Sequence, residues 1–275
     1  MRHAEQRILP RAPAIHVVAG VLIDRRGRVL IAQRPLGKPL AGAWEFPGGK
    51  LEPGDARTRG LARELEEELG LSIRSPRPLL RLRHRYAHAA VLLDVFVVRR
   101  YRGRLEPRDR QVLRWVTRAE LARAPLLPAD RPILDVLVLP ERLRQRAARG
   151  YRVLSAAALR AARARRSGRA GRAGRVGAGG SRGHLARAPL TGAPLTGAPL
   201  TGAPLRGAGL VGALCRSPAE ARAVRGADFL VLRERCADGE LEALCRATPR
   251  PVYAAGVALE RAWQLGASGV QSFVW

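Results

Sequence analysis

Two apolar, β-branched runs lie near the start of the chain, at 14–24 and 29–34, with a short polar turn between them. Runs of this kind, bounded by Arg and Gly, predict two strands of a β-hairpin. The polar stretch 99–104 predicts a turn. Further apolar or alternating stretches predict strands at 44–46, 78–85, 89–98 and 112–116.

A helical period replaces the strand pattern between 56 and 69, where a leucine recurs at every fourth position and places an apolar stripe on one helix face. Asp55 before this run predicts an N-cap, and Gly70 after it predicts a C-cap. A second helical pattern at 126–137 predicts a closing helix. The leucines of the first helix are Leu61, Leu65 and Leu69.

The pattern changes again after Pro140. Residues 144–187 contain thirteen arginines and no Asp or Glu, so like charges repel and little apolar surface is available for a core. The unit APLTG then repeats from 188 and ends as APLRG at 203, which is typical of low-complexity sequence rather than of a solenoid. We therefore predict a first domain at 1–142, a low-complexity linker at 143–208 and a second domain at 209–275.

Short apolar runs alternate with helical patterns from 209 onward. Their order is LVGAL, SPAEARAVR, DFLVL, DGELEALCRA, PVYAAG and ALERAWQLG. Strands separated by helices at this spacing predict βα units of a parallel sheet.

Length and composition narrow the class of protein. A chain of 275 residues is long enough for two modest domains. It has no apolar stretch long enough to span a membrane and no N-terminal apolar segment of signal-peptide length, so we expect a cytoplasmic protein without membrane partners. The cysteines argue against a disulfide framework and a zinc site, because they are odd in number and form no C-x-x-C pair. They are Cys215, Cys236 and Cys245.

The net charge of +27 is of the size that often indicates nucleic-acid binding. Nearly all of the basic charge is arginine, however, since Lys38 and Lys50 are the only lysines, and Ala and Gly are abundant. The codon bias of a GC-rich genome produces this combination whatever the protein binds. Because aromatic residues are also scarce, we do not expect nucleic acid as a partner. The sequence predicts no particular oligomeric state.

Three carboxylates, Glu64, Glu67 and Glu68, share one face of the first predicted helix, because they stand at i, i+3 and i+4. A solvated acidic face is the ordinary interpretation of such a run. Two tight turns directly before the helix, and the apolar stripe beside the acidic face, favour a different interpretation. In it, a hard divalent cation with oxygen ligands, Mg²⁺ or Mn²⁺, lies between the carboxylates.

The stretch from 49 to 71 resembles the Nudix box, G-x5-E-x7-R-E-U-x-E-E-x-G-U with U aliphatic. Asp55 stands where the family has Glu, at a position that supports the box arginine, here Arg63. The resemblance implies that 1–142 is a MutT-type Nudix hydrolase domain of α/β class, with a mixed sheet between helices. The box positions are occupied in register by Gly49, Asp55, Arg63, Glu64, Leu65, Glu67, Glu68, Gly70 and Leu71.

The resemblance also implies a reaction, in which water attacks a nucleoside triphosphate at phosphorus and leaves monophosphate and pyrophosphate. The ion is expected to be Mg²⁺, with Mn²⁺ as the alternative. Asp109 keeps the spacing of a further loop carboxylate in MutT-type enzymes, with a Gln two residues later and a Trp six residues later. Either Asp109 or one of the glutamates is expected to take the proton of the water. The expected metal ligands are the backbone carbonyl of Gly48 and the side chains of Glu64, Glu67 and Glu68.

Three residues are expected to contact substrate. Arg34, at a strand end, and Lys50, after the glycine loop, compensate phosphate charge. Asp130 occupies the Asn position of a PPAN-x-P-I segment that reads the purine edge in enzymes hydrolysing oxidised guanine nucleotides. An ionised Asp accepts hydrogen bonds from guanine N1–H and the N2 amino group but donates none. The resemblance implies 8-oxo-dGTP as substrate and a role in nucleotide-pool sanitation for DNA replication and repair; ADP-ribose, dinucleoside polyphosphates and other dNTPs stay open.

Residues 209–275 resemble the last part of a thiamine-phosphate-synthase-like (β/α) barrel, with GADFLVL, PVYAAG and LGASGVQSF in the family order. The Gly-Gly that offers N–H groups to a phosphate in that family is Ala255-Gly256 here, and 233–238 replaces the Thr/Ser-rich loop. We therefore expect a partial barrel-like domain without catalytic activity. The alternative from another functional class is a chain that does not catalyse and binds thiamine phosphate.

Overall fold

The computed structural model describes residues 14–87, 89–143, 151–161 and 209–271. In the N-terminal part, the helices are α1 (Arg57–Leu69), α2 (Arg118–Arg123) and α3 (Arg131–Val136). The strands there are β1 (Ile15–Leu22), β2 (Val29–Gln33), β3 (Trp44–Glu45), β4 (Gly48–Lys50), β5 (Ser72–Arg74), β6 (Arg77–Arg85), β7 (Ala90–Val98), β8 (Arg100–Arg102) and β9 (Leu113–Val116).

The main sheet of this part has the strand order β4-β1-β7-β6. β1 is parallel to β7, whereas the other two pairings are antiparallel, so the predicted mixed sheet is confirmed. The predicted hairpin of β1 and β2 is wrong. β1 pairs along its whole length with β7, while β2 joins a separate sheet of order β3-β2-β9. A bridge between Ile23 and Val29 is the contact that links the two strands beside the turn.

A further strand lies where the sequence predicted a turn. β8 pairs antiparallel with β5, and Tyr101 in its middle packs against the apolar cluster under α1. Its neighbours Arg100 and Arg102 are exposed. Only one side chain of this strand points inward, so its polar composition did not indicate a strand.

Helix α1 lies against one face of the main sheet. Its three leucines are fully buried among Val18, Leu22, Phe96 and Val98, which are even-numbered residues of β1 and β7. Gly70 ends the helix in the left-handed conformation, with φ 68°, as predicted. The predicted N-cap is wrong: Ala56 is the N-cap residue and provides no side-chain hydrogen bond, because Asp55 faces Arg63 instead.

The C-terminal part contains a six-stranded sheet of order β10-β15-β14-β13-β12-β11, in which every pairing is parallel. This confirms the predicted parallel βα organisation. Two of its strands precede 209, inside or at the edge of the predicted linker, and helical residues 156–161 follow β11; the linker residues 144–150 and 162–208 lie outside the described part. Its elements are β10 (Arg142–Leu143), β11 (Tyr151–Ser155), β12 (Leu210–Cys215), α4 (Pro218–Ala223), β13 (Phe229–Leu232), α5 (Asp238–Ala247), β14 (Val252–Ala254), α6 (Leu259–Gln264) and β15 (Gly269–Gln271).

The two parts of the chain share one hydrophobic core. Odd-numbered residues of β7, among them Val95 and Val97, belong to the same buried cluster as Tyr151, Phe229 and Tyr253 of the C-terminal sheet. The other face of that sheet packs against α4, α5 and α6 in a second cluster. Successive layers are therefore α1, the main sheet, a shared core, the parallel sheet and its helices. In the described ranges, no helix combines the length and apolar character needed to span a bilayer.

A buried arginine crosses this shared core. Arg77 of β6 donates hydrogen bonds to the carbonyl oxygens of Ser268, at 3.1 Å, and Leu139, at 3.4 Å. The Ser268 hydroxyl donates in return to the Leu79 carbonyl at 2.8 Å. Burial lowers the pKa of Arg77, and the nearby Tyr253 hydroxyl opposes this shift. The interface thus depends on a buried charge whose partners are mainly carbonyl oxygens.

We expect Arg77→Ala to lower the stability of the whole chain by about 3 kcal/mol, because carbonyl oxygens on both sides of the interface lose a charged donor inside the core. Urea unfolding monitored by circular dichroism measures this change, and a single transition is expected for wild type and variant. The matched control is Arg83→Ala on the exposed side of β6, with an expected change within about 0.5 kcal/mol. Two separate transitions in the variant would show that the core is not shared energetically.

Candidate active site

The glycine loop before α1 brings backbone against a carboxylate. Gly48 has φ 151°, and a Cβ there would lie 2.1 Å from the Val18 carbonyl oxygen, so only glycine fits. A Cβ on Gly49 would lie 1.9 Å from Oε2 of Glu64. The Glu64 side chain therefore occupies the space that the missing side chain of Gly49 leaves open.

The three helix carboxylates lie in different surroundings. Arg63 contacts Glu64 at 3.0 Å and Glu67 at 3.1 Å, and Glu67 is the more exposed of the two. Burial raises the pKa of Glu64, although the charge of Arg63 opposes this shift. Glu68 differs, because burial and then the charges of Asp109, Glu64 and Glu45 raise its pKa to about 7.

These surroundings fit a cation. Across the described residues, no three carboxylate, imidazole or thiol groups surround a point as ligands of an ion do. Negative charge nevertheless converges on Glu68, where Asp109 approaches from the loop before β9. The buried Oε1 of Gln111 also lacks a hydrogen-bond partner within the described part of the chain, while its Nε2 donates to the Glu68 carbonyl at 3.4 Å. Oxygen donors that repel one another are the set that a hard divalent ion stabilises.

Arg63 and Asp55 approach without forming a hydrogen bond. Their closest atoms, Nη2 and Oδ2, are 3.7 Å apart. Asp55 Oδ2 and Arg63 Nε are both buried and have no hydrogen-bond partner among the residues described. The short aspartate side chain accounts for this gap, because a glutamate is one methylene longer and the family has Glu at this position. Arg63 Nη2 donates instead to the Lys50 carbonyl at 3.2 Å.

The predicted substrate residues Arg34 and Asp130 lie together on the other side of the site. Arg34 pairs with Glu45 at 2.5 Å, and Asp130 accepts a hydrogen bond from the Phe46 N–H at 3.1 Å. Burial raises the pKa of Asp130 to about 7, with the charge of Glu45 adding to the shift. Tyr86 lies near the same groups, since Asp130, Arg34 and Glu45 all influence its pKa. Residues far apart in sequence thus form one polar cluster.

Two charged residues of this cluster were not predicted from the sequence. Glu45 contributes to the raised pKa of Glu68, and Lys38 on the exposed loop before β3 acts in the opposite direction on both carboxylates. The sequence offered one signal for Lys38: its residue type is unusual, because nearly all other basic residues of the chain are arginine. Lys50, the other lysine, is exposed at the end of β4; its expected phosphate contact stays a prediction.

Comparisons with known proteins identify the family of the N-terminal part. A family model described as NUDIX domain matches residues 18–136. The CTP pyrophosphohydrolase of Escherichia coli K12 is 36% identical over 124 residues, which are 45% of this chain and 91% of that protein. An 8-oxo-dGTP diphosphatase of Proteus vulgaris is 38% identical over 91 residues, covering 33% of this chain and 81% of that protein. An 8-oxo-dGTP diphosphatase of Haemophilus influenzae is 29% identical over 124 residues, covering 45% of this chain and 91% of that protein.

The chain belongs to the Nudix family of hydrolases. Relatives named 8-oxo-dGTP diphosphatase act on phosphoric anhydride bonds. The match extends over the main sheet, the glycine loop, α1 and α3, and leaves the C-terminal parallel sheet outside it.

We expect Asp55→Glu to raise the free energy of unfolding by about 1 kcal/mol, because the longer side chain closes the gap and pairs two buried polar atoms. Thermal and urea unfolding measure this gain. In an Arg63→Gln background the same change should have no effect, so the two substitutions form a double-mutant cycle. An equal gain in both backgrounds would mean that Asp55 acts on something other than Arg63.

Proposed function

We propose that this protein is a metal-dependent pyrophosphohydrolase that converts a nucleoside triphosphate to its monophosphate and pyrophosphate. The observation that supports this most directly is the pKa of Glu68, which burial and then the charges of Asp109, Glu64 and Glu45 raise to about 7. Carboxylates that raise one another's pKa are suited to a divalent ion. Lys38 and Arg34 beside them are suited to the phosphates of a substrate.

The expected ion is Mg²⁺, with Mn²⁺ as the alternative, and the proposed ligands are the Gly48 carbonyl and the side chains of Glu64, Glu67 and Glu68. A bound divalent ion lowers the pKa of water and neutralises charge on phosphate oxygens. Gly48 is suited to this role because its backbone lies against β1, and the next residue, Gly49, leaves room for the Glu64 side chain. Arg63 holds Glu64 and Glu67 on the same side of α1.

The other residues of the site orient substrate and move a proton. Asp109 is exposed on its loop and lies close enough to Glu68 to raise its pKa. Either Asp109 or one of the glutamates receives the proton of the attacking water. Arg34 and Lys50 compensate phosphate charge, and we add Lys38 because of its place near Glu45 and Glu68.

8-oxo-dGTP is the proposed substrate, which corresponds to a role in sanitising the nucleotide pool in the cytoplasm. Two of the relatives described above bear this activity in their names. Ionised Asp130 accepts from the N1–H and N2 amino groups of guanine. CTP is the second candidate, because a relative is named for it and because a protonated Asp130, with its pKa near 7, donates to N3 and accepts from N4 of cytosine.

The C-terminal sheet is proposed to support the catalytic part rather than to catalyse. Its resemblance to the thiamine-phosphate-synthase-like barrel stays a proposal, and so does the division at 142 and 208. The sheet shares its core with β7 and bonds to Arg77, which is the role of a supporting layer. A thiamine-phosphate-binding module without catalysis remains the alternative function of the chain.

We expect Glu67→Gln and Glu68→Gln to lower kcat/KM at least about a hundredfold in an assay with Mg²⁺ that measures the nucleotide products by chromatography, because each removes a proposed ligand of the ion. The substrates are 8-oxo-dGTP, dGTP, CTP, ADP-ribose and a dinucleoside polyphosphate. Glu66→Gln is the matched control, since Glu66 is an exposed carboxylate on the same helix, and its activity should stay within about twofold of wild type.

The same panel separates the alternatives. Hydrolysis of no compound by wild type, or equal rates in all three variants, contradicts the proposed function. Preference for CTP or ADP-ribose retains the hydrolase and replaces the substrate. Calorimetric titration of thiamine phosphate into the full chain, with micromolar binding in the absence of any hydrolysis, would favour the binding module.

Asp130 makes stability depend on pH. Burial raises its pKa from 3.8 to about 7. Between about pH 4 and pH 7 the folded state therefore keeps a proton that the unfolded state has already released. Stability therefore falls as pH rises through this window, by up to about 1.4 kcal/mol per pH unit, and levels off above it. We expect Asp130→Asn to make this fall shallower, because Glu68, whose pKa is also raised to about 7, still contributes to it, and to be more stable than wild type at pH 8. Urea unfolding between pH 4 and 8 measures it.

The control for this experiment is Glu106→Gln, which changes an exposed carboxylate and should leave the pH profile parallel to that of wild type. Parallel profiles for Asp130→Asn and wild type would show instead that Asp130 titrates near its ordinary value.

A further inference from the structure

A groove of about 1060 Å³ lies between the N-terminal and C-terminal parts of the chain. Loop 51–58 forms one wall, His16, Arg81 and Phe96 of the main sheet form the floor, and α5 and α6 form the opposite wall. We call this the interdomain groove. None of the proposed metal ligands, and neither Arg34 nor Asp130, is part of its lining, so it is separate from the candidate active site.

A buried carboxylate organises the floor of the groove. Asp94 of β7 accepts two hydrogen bonds from Arg81, at 2.8 Å each, one from Arg57 at 3.0 Å and one from His16 Nε2 at 2.6 Å. Burial alone would raise the pKa of Asp94, but the bonds from Arg81, the charge of Arg57 and the bond from His16 lower it overall. Asp94 is therefore an anion with all of its acceptor positions used.

This arrangement leaves a surplus of positive charge. Two arginines share a single carboxylate, and the bond to Asp94 uses one of the five N–H bonds of Arg57. Asp94 also fixes both guanidinium groups in position, so little side-chain entropy is lost when they bind an anion. Paired, oriented guanidinium groups are the usual protein partners of phosphate oxygens.

The walls of the groove also carry four carboxylates and a third arginine. Asp55 and Glu52 face Arg63, each at 3.7 Å, and Glu242 pairs with Arg246. Glu260, at the start of α6, is exposed and lies on the far wall from Arg57. Positive charge therefore predominates only at the floor, where Arg57 and Arg81 share Asp94, while the walls carry these four carboxylates.

The wall formed by α6 adds an aromatic ring. Trp263 lines the groove, and its buried indole N–H has no hydrogen-bond acceptor among the residues that the structure describes. What the indole contributes to the groove is therefore a flat apolar surface. The volume is that of a site for a nucleotide-sized ligand.

We propose that the interdomain groove is a second ligand site that binds a small phosphate-bearing molecule, with phosphate oxygens on Arg57 and Arg81 and the remainder of the ligand against Trp263. The ligand is a nucleoside monophosphate or inorganic pyrophosphate; both offer the oxygens that these arginines recognise, and the monophosphate alone offers a ring to Trp263. The proposal does not depend on the proposed hydrolysis. A ligand here contacts loop 51–58, which carries Asp55 and leads into α1.

Calorimetric titration of the full chain tests this site without added metal ion, using GMP in one arm and inorganic pyrophosphate in the other. Arg57→Gln is expected to weaken binding at least about tenfold, the effect of losing one charged hydrogen bond. Arg59→Gln is the matched control, since it removes the same charge from an exposed position two residues farther along α1, and it should change affinity less than about twofold. Stronger binding of GMP than of pyrophosphate identifies the nucleotide as the ligand, and the reverse order identifies pyrophosphate.

Three results would overturn the proposal: no binding of either probe to wild type, equal weakening by Arg57→Gln and Arg59→Gln, or loss of binding in Arg34→Gln but not in Arg57→Gln. A measurement on wild type alone guards against a variant that fails to fold. Hydrogen exchange with bound probe should slow in 51–58 and, for GMP, in 259–264. Slowing confined to 34–46 would place the ligand in the candidate active site instead.

Discussion

Burial of the leucine stripe of α1 against the main sheet is the interaction on which the rest of the structure depends. Three fully buried leucines contribute roughly 1.5–3 kcal/mol each, whereas repulsion between helix carboxylates costs roughly a few tenths of a kcal/mol per pair. The packing term is the larger by several-fold, so α1 stays helical while it holds Glu64, Glu67 and Glu68 on one side. The glycine loop meets Glu64 because β4 pairs with β1 and the leucines of α1 pack against residues of the same strand.

The sequence pattern predicted the part of the site whose residues lie close together in the chain. The spacing of the Nudix box contained the helix, its leucines, its C-cap and the carboxylate face, because all of these lie within one turn-helix unit. Pairing of β1 with β7 was not predictable in this way, since the partners are more than seventy residues apart and a nearby apolar run invited a hairpin. Lys38 and Glu45 were missed for a similar reason: their proximity to Glu68 arises from the fold of a loop and of the short strand β3, which carry no motif.

Aspartates replace longer or neutral side chains of the family at three positions, and the structure separates their consequences. At Asp55 the shorter side chain leaves two buried polar atoms unmatched beside Arg63. At Asp109 an exposed loop still brings negative charge to Glu68. At Asp130 a carboxyl group lies in a buried position, where burial raises its pKa to about 7. The change at Asp55 therefore affects how rigidly the loop is held, the change at Asp109 affects the charge near Glu68, and the change at Asp130 affects which hydrogen bonds its side chain donates or accepts.

The position of Ser268 and β15 has a consequence for synthesis on the ribosome. β10 pairs with β15, 128 residues later in the chain, and Arg77 finds its carbonyl partner at Ser268. One face of the catalytic sheet therefore keeps apolar surface and a charged side chain uncovered until nearly all of the chain has been translated. At a rate of about 5–20 residues per second this interval lasts on the order of ten seconds, during which that face of the catalytic sheet is exposed on the nascent chain.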